Sequence, residues 1–163
     1  MESFGFRAHL PGQPTEHLAI LTCMDSRVEP KKLLGLEVGE ANIIRNAGAR
    51  ATDDAIRSLT ASTKFLGVDT IFVIHHTNCG MAQRSDEEVL EDLSDGTADA
   101  ENITWRSITG EPEALVNDVT RLRSSPLIAP EIPIYGFLMD IETGGIIEVP
   151  QAITAGATVQ KDS

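Results

Sequence analysis

Thr70-Ile71-Phe72-Val73-Ile74-His75, running on into His76-Thr77-Asn78-Cys79-Gly80, is the stretch that decides the fold. Its four large apolar residues, Ile71 to Ile74, are rich in β-branched and aromatic types, and a polar segment closing on glycine follows them. That is the signature of a short, buried β-strand ending in a loop. The same shape recurs on either side. Residues 17–22 (His-Leu-Ala-Ile-Leu-Thr) end in Cys23-Met24-Asp25-Ser26-Arg27, and Ala41 to Arg45 is closed by Asn46-Ala47-Gly48. Further on, Ile132 to Leu138 and Ile146 to Val149 flank the turn-rich Asp140 to Gly145 and read as a hairpin.

Helical patterns fall between these strands. Thr52 is placed to cap a helix whose first turn holds Asp53 and Asp54, with Ile56, Leu59, Thr63 and Leu66 at helical spacing and Gly67 as its stop. Ser85 and Glu88 have the spacing of a capping box ahead of Val89, Leu90 and Leu93. Pro112 sits in the first turn of another helix, with Leu115, Val116, Val119 and Leu122 as its apolar face. Asp95 to Thr109 reads as a polar loop. Strand and helix alternate, with connections long enough for crossovers. The expected fold is therefore α/β: a central, mostly parallel sheet flanked by helices, with an antiparallel edge strand. With 163 residues and no repeat, low-complexity tract or linker, residues 1–163 are expected to form one domain.

Composition excludes several functions. Thirteen Lys and Arg against 25 Asp and Glu give a net charge of −12, the wrong sign for a nucleic-acid partner. The apolar runs fall far short of the roughly 20 residues of a membrane-spanning helix. Met1 to Gly5 shows no basic region leading into an apolar stretch, so the expected location is cytoplasmic. Only Lys31, Lys32, Lys64 and Lys161 are lysines, so the acidic surface is that of a salt-adapted protein or simply a solvated face. In a reducing compartment the two cysteines, Cys23 and Cys79, point to metal binding or catalysis rather than to a disulfide.

In an open α/β sheet, sites collect beyond the carboxyl ends of the strands. Cys23 follows the first strand, while His76 and Cys79 follow the third. Thiolate and imidazole are donors that zinc prefers, and three protein ligands with an open fourth position mark a catalytic site. His75 competes with His76 for the nitrogen ligand, but neighbouring side chains of a strand point to opposite faces, which favours His76. His9 and His17 read as ordinary surface or core histidines. Asp25 and Arg27, two residues apart beside Cys23, fit either a carboxylate that accepts a hydrogen bond from water at the metal or an exposed ion pair.

Three ordered segments, Cys23-Met24-Asp25-Ser26-Arg27, Arg45-Asn46-Ala47-Gly48 and His75-His76-Thr77-Asn78-Cys79-Gly80, resemble the motifs of the β-class carbonic anhydrases, in a compact subclass. The resemblance implies Zn²⁺ on Cys23, His76 and Cys79, with Asp25 and Arg27 as a dyad beside the metal. It also implies a pocket-lining role for the Asn46-Ala47-Gly48 turn; main-chain groups around Gly48 and Gly80 are expected to help place substrate. The implied reaction is reversible hydration of CO₂ to bicarbonate and a proton by zinc-hydroxide, oriented by Asp25. In some members the aspartate moves onto zinc at low pH. The implied assembly is a homodimer or dimer of dimers with active sites near the subunit interface. Carbon disulfide and carbonyl sulfide hydrolases share these motifs, which makes hydrolysis of CS₂ or COS a second reading. A non-catalytic zinc or bicarbonate-binding protein is a third.

Overall fold

A computed structural model describes residues 4–93 and 100–159. After a 3-10 turn at Phe4–His9 come β1 (Leu18–Cys23), α1 (Pro30–Leu34), β2 (Ala41–Asn46), α2 (Asp53–Phe65), β3 (Thr70–His76) and α3 (Asp86–Asp92). The rest consists of α4 (Glu111–Arg123), β4 (Ile134–Met139), β5 (Ile146–Glu148) and α5 (Pro150–Ala155), with short 3-10 turns at Ala47–Ala49, Gly80–Ala82 and Ala100–Asn102. The sheet order is β2-β1-β3-β4-β5. The first three pairings are parallel, and β5 joins β4 antiparallel, as the sequence leads one to expect.

The helices begin where side-chain chemistry allows. Thr52 accepts the Ala55 N–H at the head of α2, and Ser85 and Glu88 form both bonds of the capping box at α3. Two short helices, α1 and α5, were not anticipated. Each begins on a proline, whose missing N–H costs nothing at a helix start, and each is too short to display a period. Of the expected polar loop, residues 95–99 lie outside the described residues, and Ala100–Asn102 forms a 3-10 turn.

The two faces of the sheet are treated differently. One carries Ala19, Leu21, Ile71, Val73, Ile134 and Leu138 and is covered by Ala55 and Leu59 of α2, Leu115, Val119 and Leu122 of α4, and Ala152 of α5, giving the main core. At Gly156, just after α5, a Cβ would stand 1.8 Å from the Ile134 carbonyl oxygen, so only glycine lets the chain return over β4. The other face carries Leu18, Ile20, Ile74 and Met139, and the residues packed there from outside the strands include Leu33 and Leu34 of the five-residue α1. Phe72 lies edge-on to Tyr135 and Phe137 there, with centroids 5.8 and 5.3 Å apart, and Tyr135 and Ile146 are exposed. Among the described residues no helix is long and apolar enough to cross a membrane.

Candidate metal centre

Parallel pairing of β1 with both β2 and β3 brings the carboxyl ends of three strands together. Cys23 closes β1 opposite Asn46 of β2, and His76 closes β3 three residues before Cys79. All three candidate ligands are buried, and their donor atoms lie within 4.8 Å of one another. The two sulfurs are 3.8 Å apart. That matches the separation of about 3.8 Å subtended by two metal–sulfur bonds of about 2.3 Å at a tetrahedral angle.

The His76 ring nitrogens have distinct roles. Nδ1 lies 2.9 Å from the Thr77 carbonyl oxygen, which can only accept, so Nδ1 carries the hydrogen and Nε2 holds a lone pair. Nε2 is buried without a hydrogen-bond partner. An orphaned imidazole nitrogen beside two thiols is what a borderline metal ion satisfies, and the donor set fits zinc. His75 points to the opposite face, where its Nε2 is 3.2 Å from Asp118 Oδ2. The strand alternation thus separates the two histidines as expected.

The sulfurs differ in character. A hydrogen bond from Cys79, with help from the main-chain N–H of Asp25, pulls the Cys23 thiol far below its ordinary pKa against the effect of burial. The same hydrogen bond, followed by burial, pushes Cys79 up. Burial disfavours the charged form of His76, but the Cys23 sulfur and the Thr77 carbonyl outweigh it and raise its pKa.

Asp25 and Arg27 pair through a fork. Arg27 Nε and main-chain N–H donate to Oδ1 at 3.0 and 2.9 Å, and Nη2 donates to Oδ2 at 2.7 Å. Nη2 also donates to the Asn78 carbonyl at 3.1 Å, tying the Cys23 loop to the Cys79 loop. The Arg27 guanidinium holds the Asp25 carboxyl well below the usual carboxylate range. Asp25 Oδ2 stands 3.8 Å from His76 Nε2, so the carboxylate faces the ligand cluster.

The remaining candidates shape the walls. Asn46 does not project its amide into the site: Nδ2 donates to the Arg50 carbonyl at 2.7 Å, and Oδ1 accepts the Arg50 N–H at 2.8 Å. This clamp closes the turn Ala47–Ala49. Gly48 is buried at φ 78°, where a Cβ would stand 3.2 Å from Met81 Cβ and 3.3 Å from Ile108 Cδ1. Gly80 is exposed and opens the 3-10 turn after Cys79. His17 is exposed, with Nδ1 2.8 Å from the Gly67 carbonyl, away from the centre.

Two further residues have roles that the sequence alone does not assign, Arg45 although it stands in one of the motifs. Arg45 donates to the carbonyls of Cys23, Asp25 and Val28 at 3.1, 2.8 and 2.9 Å and braces the whole Cys23 loop. Asp118, in α4, is buried between His75 and Arg50. Its signal was present in the sequence. Asp118 falls between Leu115 and Leu122 on the apolar stripe of α4, where a solvated acid has no place.

Taken together, these features define a class: α/β proteins with a Cys₂His metal centre at the carboxyl ends of a parallel sheet and a carboxylate–guanidinium pair beside it. Residues 18–146 match the family model described as carbonic anhydrase. β-Carbonic anhydrase 1 of Mycobacterium tuberculosis (strain ATCC 25618 / H37Rv) is 37% identical over 145 residues, 89% of each chain. A carbonic anhydrase crystal structure from Streptococcus mutans superposes with a TM-score of 0.82 at 44% identity over 86% of each chain. The carbon disulfide hydrolase of Acidianus sp. (strain A1-3) is 33% identical over 168 residues, 88% of this chain and 82% of that one. The chain belongs to the β-carbonic anhydrase family, whose members are zinc enzymes.

Proposed function

We propose that this protein catalyses the reversible hydration of CO₂ to bicarbonate and a proton, with zinc held by Cys23, His76 and Cys79. The observation that carries the reading is the convergence of those three buried donors within 4.8 Å, faced by Asp25 at 3.8 Å from His76 Nε2. Zinc bound there would acidify water and so supply a hydroxide nucleophile at mildly alkaline pH. The protein provides the rest. Arg27 keeps Asp25 ionised, and an ionised carboxylate only accepts. Asp25 therefore takes the hydrogen bond of the attacking water and sets its orientation toward the carbon of CO₂. Arg27, held in turn by the Asn78 carbonyl, fixes the carboxylate. Gly48 and Gly80, one against the sulfur of Cys23 and the other following Cys79, offer main chain without side-chain bulk to a small linear substrate, and Asn46 with Ala47 holds that wall in shape.

The reading includes a homodimer, or a dimer of dimers, formed through the sheet face that α1 covers only in part. Phe72, Tyr135 and Phe137 lie ring against ring on that face, and with the exposed Ile146 of β5 they offer apolar surface that a second copy would bury. That His76 lies on the same face of β3 as Phe72 and Ile74 supports a centre beside that surface. Both cysteines are free thiols, the form a cytoplasmic redox poise maintains.

A second reading, hydrolysis of CS₂ or COS at the same centre, is supported by the similarity to the Acidianus hydrolase. Stopped-flow CO₂ hydration, run beside sulfide release from CS₂ and COS, separates the two. Hydration that is fast and lost with Cys23→Ser supports the proposal. Sulfide release with no CO₂ hydration establishes the second reading, and neither activity in zinc-replete protein leaves a binding role.

A further inference from the structure

Behind the metal centre, on the helix-covered side of the sheet, lies a second polar cluster that the proposed chemistry does not use. Asp118, 1% exposed, sits at its middle. Its Oδ1 accepts the main-chain N–H of Ala51 at 2.9 Å. Its Oδ2 is 2.7 Å from Arg50 Nε and 3.2 Å from His75 Nε2. Neither nitrogen is aligned with that oxygen for a hydrogen bond, so these two contacts are electrostatic. Arg50 Nη1 then donates to the carbonyls of Arg106 and Ser107 at 2.9 and 3.1 Å.

Each partner of Asp118 is one step from a metal ligand. His75 precedes His76 in β3. Arg50 and Ala51 follow the Gly48–Ala49 turn, whose Ala49 packs in one buried cluster with Cys23 and Cys79. The Arg106–Ser107 segment leads into Ile108, whose N–H donates to the Met81 carbonyl at 2.8 Å, and Ile108 and Met81 pack in that same cluster. Both the Gly48–Ala49 turn and Arg106 are left-handed: Gly48 at φ 78°, the fully buried Ala49 at 59°, and Arg106 at 56°. A side-chain-bearing residue resists that conformation and persists in it only when its surroundings hold it.

We propose that Asp118 is a positioning residue for the metal centre. From α4 it fixes Arg50 and Ala51, and through Arg50 the Arg106–Ser107 segment, so that Ala49, Ile108 and Met81 stay packed around the two cysteines. Groups that fix the orientation of a ligand set its strength toward the metal. The buried charges are consistent with this role. Taking Arg and Asp out of water is costly, and well-packed apolar side chains of similar volume often serve stability as well or better. What the charged cluster adds is fixed geometry at two strained turns.

The proposal rests on zinc at Cys23, His76 and Cys79, so the wild type is the control. The variants are Asp118→Asn, which keeps an acceptor for Ala51 but loses the charge facing Arg50, and the double variant Arg50→Met/Asp118→Leu, which removes both charges together and so leaves neither buried without its counterion. Zinc affinity is read by competition with a chromophoric chelator. The sulfur-to-metal charge-transfer band of the cobalt(II) protein and the melting temperature are measured alongside. The expected result is a zinc affinity at least tenfold weaker and a shifted cobalt–sulfur band in the double variant while it melts within a few degrees of wild type, with kcat for CO₂ hydration falling more than KM changes. Asp118→Asn should show the same displacements in smaller degree. Wild-type zinc affinity and an unshifted band in either folded variant would reduce Asp118 to a structural ion pair and overturn the proposal. A wild type that takes up no zinc would overturn this proposal and the metal centre together.

Discussion

Adding a single methyl group at Gly48 should damage both the fold and the metal centre. At φ 78° and ψ 12° the residue is left-handed, which costs an L-residue about 1–2 kcal/mol. The new Cβ would also press on Met81 Cβ at 3.2 Å and on Arg50 Cδ and Ile108 Cδ1 at 3.3 Å each. Overpacking a filled site typically costs about 1–3 kcal/mol. The sum is about 2–5 kcal/mol, and for a chain of this size each kcal/mol lowers Tm by about 2–4 °C. Gly48→Ala should therefore melt roughly 6–12 °C below wild type if the loss is near 3 kcal/mol. Any relaxation of the turn would also shift Ala49, which packs with Cys23 and Cys79, so zinc affinity should fall in the same protein. The assay is thermal denaturation followed by circular dichroism, paired with zinc competition against a chromophoric chelator. A Tm within 2 °C of wild type with undiminished zinc affinity would refute the reasoning, because it would mean the turn accommodates a side chain that the geometry excludes.

Other expectations follow from the same structure. Cys23→Ser and Cys79→Ser should each lose zinc and hydration activity together, and elemental analysis finding full zinc in both would refute the ligand assignment. Because two thiolates cancel the charge of Zn²⁺, its water should titrate above the value of about 7 typical of three-histidine sites, so hydration should climb through mildly alkaline pH; a rate flat from pH 6 to 9 would contradict this. Asp25→Asn should lower the maximal rate and alter that profile. Asp86 accepts the Ser107 N–H at 2.7 Å, which lowers its pKa. Its contribution is therefore complete above the unfolded value of about 3.9 and lost as pH falls through the lower folded one, so Asp86→Asn should flatten the acid limb of the stability curve. With a net charge of −12, self-repulsion should weaken as salt rises, and Tm should increase between 0.1 and 1 M KCl as the Debye length shrinks from about 10 to 3 Å; an unchanged or falling Tm would argue against it.

The elements legible in the sequence were those whose local chemistry and burial agree. β3 announces itself because it is buried through the sheet centre, and α2 and α3 because Thr52 and Ser85 cap them with bonds the structure forms. The short helices α1 and α5 were not legible, since five or six residues cannot show a 3.6-residue period and their order comes from packing. The ligand trio could be read because zinc chemistry restricts residue types and parallel topology restricts place. The braces could not be read in the same way. Arg45 acts on three carbonyls, and carbonyls carry no sequence signal. Asp118 meets Arg50 and Ala51 across 68 and 67 positions, a contact that only the packing of α4 on the sheet creates.

The 56-position separation of Cys23 and Cys79 has a thermodynamic consequence of its own. An unfolded chain binding one metal ion through both sulfurs would have to close that loop, at an entropic cost of about (3/2)RT ln 56, or about 3.6 kcal/mol. In the native protein the parallel pairing of β1 with β3 has already closed it. The folded chain thus presents the second sulfur at an effective concentration several hundredfold higher than the coil does, a factor set by sheet topology rather than by the ligands themselves. Metal capture and chain folding are linked through that closure: zinc draws the unfolded ensemble toward the sheet, and a chelator that strips the ion loosens the same central strands.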